Sequence, residues 1–329
     1  MLKDIEKKAK KLASITPEEA NFLLNLEWDE FRSVMELARE QADRLFGKIL
    51  YFHYTGNNYP ALSLTGEKCE LMCKHCKAEL LKRLIPIQNN EELIKVCINL
   101  EKNGAIGCLL TGGCDINARV PILDYIDGVR EIKRRTNLSL VAHTGPVEVE
   151  EVSLLKDAGL DGILLDIVGS VETTKEIYGI KISKKRYRDS LIACQNSGIK
   201  IISPHVCVGL HDGKLKHELN ALDIIKSIEP TTIVIIALMP LIKTEMKSVR
   251  VEAKDVAKII SIAKLMFPRV RITLGCAKSS GEERARIDEL GIKAGVSSVA
   301  LPTERAIETV KKLGYGIREV KTCCGVLGI

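Results

Sequence analysis

The sequence predicts an α/β fold: a (β/α)8 TIM-type barrel with a helical N-terminal extension and a cysteine-containing C-terminal tail. Short apolar, strand-like runs recur eight times from Ala61 onward, helical patterns lie between them, and no low-complexity linker or fixed-length repeat interrupts the series. Strands alternating with helices pair in parallel, and eight such units close a barrel. A six-stranded barrel with extra C-terminal elements is the alternative.

Residues 1–50 read as helices, with Thr16-Pro17-Glu18-Glu19 as a capped start and apolar residues at helical spacing from Trp28 to Leu45. The barrel is expected over 51–314. Its strands are Ala61–Thr65, Gly107–Thr111, Leu138–His143, Gly162–Ile167, Lys200–Val206, Thr232–Leu238, Arg271–Gly275 and Ser297–Leu301. Between them, Leu93, Val96, Cys97 and Leu100 form one helical stripe, and Leu154, Leu155 and Ala158 form another before Gly159. The tail, 315–329, has β-like residues at Ile317 and Val320 and the pair Cys323-Cys324.

A chain of 329 residues at 46% hydrophobic content can bury a large core. Eleven cysteines would suggest disulfides in a small secreted protein, yet the start Met1-Leu-Lys-Asp-Ile-Glu-Lys-Lys8 is no signal segment, so a reducing cytoplasm is expected. The apolar run Thr232–Pro240 falls well short of the ~20 residues that span a bilayer, so no membrane association is expected. A net charge of +6 is modest for this length and argues against a nucleic-acid partner. The densest basic cluster, Lys184-Lys-Arg-Tyr-Arg188, reads as a solvated helix start.

The chemistry concentrates in Cys69-Glu-Leu-Met-Cys73-Lys-His-Cys76, just after the first barrel strand. Three thiolates in a short loop suit a soft metal centre, and cysteine loops commonly hold iron–sulfur clusters. A structural zinc with His75 as fourth ligand is the alternative. Zinc ligands usually come as separated pairs, and His75 beside Cys76 cannot easily close a tetrahedron with all three sulfurs. In such barrels chemistry sits at the C-terminal strand ends. Thr111-Gly112-Gly113-Cys114 ends the second strand, where glycines allow close backbone approach. Asp166 ends the fourth, where a carboxylate is costly unless paired with a neighbour or ligand. His143, Thr144 and His205 are expected to point into the same region, although lone histidines are more often structural.

The Cys-x3-Cys-x2-Cys loop after a first barrel strand resembles the radical S-adenosylmethionine (SAM) enzymes. The resemblance implies a 4Fe–4S cluster on Cys69, Cys73 and Cys76, with SAM on its open iron. It implies that His75, where an aromatic residue is usual, covers adenine. Thr111, Gly112 and Gly113 resemble the motif that binds the SAM amino group, with Cys114 where an acid often stands. Asp166 would hold the SAM ribose, and the backbone of Val208-Gly209 and Leu238-Met239 would hold adenine.

The helical extension, Tyr178-Gly179, Gly198–Ile202 and Val270–Gly275 look like biotin synthase and its relatives. That group holds a second cluster, but its interior ligand positions correspond here to Leu109, Val141 and a segment near Ser203, and its arginine to Cys276. Cys207, Cys276, Cys323 and Cys324 are the candidate ligands of a different second iron–sulfur cluster. Eight extended residues span about 26–29 Å, enough for Cys323-Cys324 to pass a strand of ~17–20 Å and reach Cys276. The bland reading is a set of buried apolar thiols, as expected for Cys97, Cys108 and Cys194.

The resemblance implies SAM cleavage to a 5′-deoxyadenosyl radical, hydrogen abstraction and sulfur insertion at an unactivated C–H, as in lipoyl and biotin synthases. The implied partners are SAM, a donor such as ferredoxin or flavodoxin, an octanoyl-carrying protein domain and a second radical SAM subunit. The alternatives are a radical rearrangement or maturation enzyme of the methylornithine synthase or hydrogenase-maturase kind, and a non-enzymatic Fe–S or zinc scaffold. No residue is assigned a catalytic role.

Overall fold

Three helices, α1 (Leu2–Lys10), α2 (Pro17–Leu24) and α3 (Trp28–Phe46), open the computed structural model, which describes residues 1–326. The expected capped start is present, because Thr16 and Glu19 exchange side-chain and backbone bonds as a capping box at α2. Gly47, at φ 73°, ends α3. The chain then enters a strand that the sequence reading placed at the end of the helical segment, β1 (Ile49–His53).

Ten more strands follow: β2 (Ala61–Ser63), β3 (Ile85–Pro86), β4 (Gly107–Thr111), β5 (Ser139–His143), β6 (Gly162–Asp166), β7 (Ile201–Val208), β8 (Thr232–Ala237), β9 (Arg271–Leu274), β10 (Ser298–Ala300) and β11 (Gly316–Val320). The eight expected strands are β2, β4 and β5 through β10. Every pairing between named strands is parallel, and the order is β11-β1-β10-β9-β8-β7-β6-β5-β4-β2-β3. Parallel neighbours need crossover connections, and helices supply most of them.

The α/β barrel class holds, but the ring is not closed by hydrogen bonds. The first and last expected strands, β2 and β10, do not pair among the described residues. Instead β1 lies against β10, with Leu50 and Phe52 fully buried, and β11 adds outside β1. The sheet still curls. Cys323 packs against Tyr59, Val141, Leu164 and Ile201, while the adjacent Cys324 packs against Val234 and Ala300, so the two arms wrap one segment.

That segment is the tail, of which Leu327–Ile329 lie outside the described residues. β11 runs beside β1 from Gly316 opposite Ile49 to Val320 opposite His53, and the chain then turns inward. The His53 Nδ1 bonds the Thr322 carbonyl at 3.1 Å, and the Ser203 hydroxyl donates to the Gly325 carbonyl at 2.6 Å. Gly325 is needed for this approach, because a Cβ there would sit 2.6 Å from Leu164 Cδ2. Val326 is fully buried.

One buried charge marks the junction with the extension. Lys264, fully buried, donates to the carbonyls of Pro268 and Val270 at 2.7 and 2.9 Å and lies 4.4 Å from the Phe46 ring centroid. Burial, with Arg39 and Arg271 nearby, lowers its pKa from 10.5 to about 7. The unfolded chain keeps that proton up to the ordinary lysine value while the folded chain releases it near 7, so rising pH favours folding between these limits. In urea denaturation, the wild type should gain stability relative to Lys264→Met as pH rises from about 7 towards 10; a difference that stays flat across this window would show that Lys264 remains charged in the fold.

Candidate active site

The loop after β2 and the turn after β4 begin side by side, because Ser63 is opposite Thr111. They then touch. A Cβ on Gly113 would lie 1.9 Å from the Lys68 carbonyl oxygen and 2.6 Å from Cys69 Cα, so only glycine fits. Gly113 N–H donates to Thr65 Oγ1 at 2.7 Å, Cys114 N–H to Cys69 Sγ at 3.4 Å, and Glu70 N–H to the Cys114 carbonyl at 2.9 Å. The double glycine thus serves the approach of the cysteine loop itself.

The loop is held in an unfavourable shape. Met72, Lys77 and Ala78 have φ of 44°, 46° and 59°, left-handed values that cost about 1–3 kcal/mol each in residues with a side chain. Its anchors include Lys74 N–H on the Ile177 carbonyl at 2.9 Å and a 2.7 Å ion pair between Lys77 and Glu245.

Cys69, Cys73 and Cys76 line one cavity of about 310 Å3 together with His75, Thr111, Gly112, Gly113, Cys114, His143, Asp166, Tyr178 and Tyr187. Cys73 and Cys76 act on each other: the Cys73 thiol lowers Cys76 to about 4, while Cys76 and burial drive Cys73 far up. No three His, Cys, Asp or Glu side chains among the described residues meet closely enough to share one ion. A four-iron cluster asks for a wider spread, because each thiolate binds its own iron.

The other walls suit an organic cation with polar ends. The His75 Nδ1 is buried without a partner, and its ring lies 5.7 Å from that of Tyr178 at 41°. Asp166 ends β6 exposed to the cavity rather than buried, so of the two expected kinds of partner, a neighbour or a ligand, its carboxylate is open to the second. His143 lines the cavity and His205 does not; their rings meet edge-on at 4.8 Å, and burial, then His143, lowers His205 to about 4. The three thiols, the open carboxylate and the orphaned imidazole nitrogen fit an iron–sulfur cluster with a polar ligand beside it.

The radical SAM superfamily profile matches residues 63–222, a span that contains the cysteine loop, the glycine turn and Asp166. The chain carries a radical SAM domain. Similar sequences include biotin synthases at modest identity. That of a Nitratiruptor species is 26% identical over 273 residues, covering 78% of this chain and 94% of its own. That of Ehrlichia canis (strain Jake) is 26% identical over 244 residues, covering 70% and 72%. In fold, the chain resembles HydG, a maturase of the [FeFe]-hydrogenase, with TM-score 0.71, 20% identity and coverage of 95% and 74%. It also resembles methylornithine synthase (PylB), with TM-score 0.68, 16% identity and coverage of 95% and 97%.

The remaining expected residues separate around the cavity. Val208, Gly209, Leu238 and Met239 end β7 and β8 and do not line it. Their backbone is partly engaged: Gly209 N–H donates to Glu218, and the Val208 carbonyl accepts from Leu238 N–H. Thr144 turns its hydroxyl onto the Gly145 carbonyl and faces a separate cleft. Tyr187, a cavity wall, went unnoticed because it lies in the basic start of the helix Lys184–Ser197, whose solvated face hides it in the sequence.

Of the four further cysteines, the structure makes neighbours of three. Cys276 follows β9 and lies close enough to Cys324 for each thiol to act on the other, and Cys323 acts on Cys324 as well. Cys276 is exposed. Cys323 packs into the apolar interior beside Cys324, while Cys207 lies apart at the end of β7. Leu109, Val141 and Ser203 line the interior that the tail fills. As expected, Cys97, Cys108 and Cys194 are buried, the first two with sulfurs 3.9 Å apart.

Asp166→Asn should weaken SAM binding by about ten- to a hundredfold, the loss of one charge-assisted bond of roughly 1.5–3 kcal/mol, while iron content stays constant. Equilibrium binding of SAM to the reconstituted variant checks this, and unchanged affinity would remove Asp166 from the binding set.

Proposed function

We propose that this radical SAM protein uses a 4Fe–4S cluster on Cys69, Cys73 and Cys76 to cleave SAM and take a hydrogen atom from an unactivated carbon, in the service of sulfur insertion of the lipoyl or biotin synthase kind. The observation that supports it is the single cavity that gathers the three thiols, Asp166 and His75. When bound, the cluster and SAM supply an electron and a carbon-centred radical. The chain's own part is placement: His75 and Tyr178 form an aromatic wall suited to adenine, Asp166 offers an acceptor for hydroxyls, and Thr111, Gly112 and Gly113 line the same space. The tail fills the barrel interior.

The Cys276–Cys324 pair supports the sulfur-insertion part. Two thiols at the end of β9 and in the tail form a soft ligand pair away from the first cysteine loop, and we take them as the core of a second iron–sulfur group that donates sulfur. Cys323 already adjoins Cys324, and Cys207 would join only after rearrangement. The partners in this reading are SAM, a ferredoxin- or flavodoxin-type donor, an octanoyl-carrying domain and a second radical SAM subunit. A rearrangement chemistry without a sulfide donor is the second reading. It is favoured by the non-ligating Leu109, Val141 and Ser203 around the filled interior.

A Cys276→Ala/Cys324→Ala variant separates the two better than removal of the tail, since Cys323 and Val326 belong to the core. It should retain about half of the iron and sulfide, still form 5′-deoxyadenosine from SAM, and fail to transfer sulfur. Full iron content in this variant would favour the rearrangement reading.

A further inference from the structure

The cavity holds a fourth thiol that the three-cysteine cluster does not use. Cys114 lines the same wall as Cys69, Cys73 and Cys76 and is close enough for charges on all three to act on it. Its position is not loose. The missing Cβ of Gly113 presses the turn onto Lys68 and Cys69, and Cys114 gives its N–H to Cys69 Sγ and its carbonyl to Glu70 N–H. Any cluster seated on the loop is therefore seated beside the Cys114 side chain. The next residue offers no competing ligand: Asp115 accepts from the N–H groups of Asn117 and Arg119 and pairs with the Arg119 guanidinium at 3.6 Å.

We propose that Cys114 binds the fourth iron of the cluster when SAM is absent, closing it as a four-cysteine centre, and is displaced when SAM arrives. This rests on the assignment of the cluster to Cys69, Cys73 and Cys76. Closure forms one Fe–S bond and releases the thiol proton to water. SAM binding breaks that bond, replaces it with the amino and carboxylate ligands of SAM, and returns a proton to the sulfur. No electron moves in either direction. A soft thiolate suits iron better than water does, so the cap guards the open site between turnovers.

The test uses the anaerobically reconstituted full chain and follows the fourth iron rather than turnover. Mössbauer spectra of wild type without SAM should show four sulfur-coordinated irons, and added SAM should shift one of them to nitrogen and oxygen coordination. A site already coordinated by oxygen before SAM overturns the proposal. Under ferricyanide, SAM-free Cys114→Ala should convert to the three-iron form, read by EPR, at least about tenfold faster than wild type, since even outer partners of a metal are worth that much. With SAM bound the two should convert at the same rate. Equal rates without SAM overturn the cap but leave the cluster assignment standing. If instead the cluster persists in Cys69→Ala/Cys73→Ala/Cys76→Ala, the underlying assignment falls.

Discussion

The close approach at Gly113 is the constraint on which the barrel mouth depends. Parallel pairing of β2 with β4 delivers two outgoing segments to the same place, and any side chain at Gly113 would force them apart by colliding with Lys68 and Cys69 backbone. Held together, they fix Cys69 on the Cys114 N–H and present the left-handed turn at Met72, Lys77 and Ala78 to the cavity. The strain of that turn is tolerable because Ile177 and Glu245, on distant parts of the chain, hold it. The thiols, Asp166 and the aromatic wall then share one space without needing any side chain to be buried at the cost of its charge.

Below the mouth, the fold solves a packing problem in an unusual way. A barrel interior is ordinarily filled by the inward side chains of its strands. Here Leu109, Val141, Leu164 and Ile201 from one arm, and Val234, Ile236 and Ala300 from the other, close on Cys323, Cys324 and Val326 of the tail. The sheet can remain open between its β3 and β11 edges because the tail, tied to His53 and Ser203, holds its arms together. Cys324 faces Cys276 as a consequence, so the same plug that completes the core brings a thiol pair together.

Much of this was legible in the residues. Strands β4 to β10 are apolar runs bounded by turn residues or charges, and fully buried parallel strands leave that signature. The cysteine loop was legible because its spacing says what it can bind. β1 was not, since Ile49–His53 follows a 19-residue helix by two residues and shows only two buried apolar positions, Leu50 and Phe52. Nor could the sequence say which of Cys323 and Cys324 meets Cys276, because adjacent residues of an extended chain face opposite ways. The adenine-binding backbone expected at Val208 and Gly209 rests on the family resemblance, and only the fold shows Glu218 and Leu238 using those groups.

The most direct measurement compares anaerobically reconstituted wild type with Cys69→Ala/Cys73→Ala/Cys76→Ala for 5′-deoxyadenosine formed from SAM under a low-potential reductant, with iron and sulfide counted in the same samples. The wild type is expected to form 5′-deoxyadenosine, and the variant to form none and to lose one cluster's share of iron. Undiminished 5′-deoxyadenosine from the variant would contradict the placement of the SAM-cleaving cluster on these three thiols.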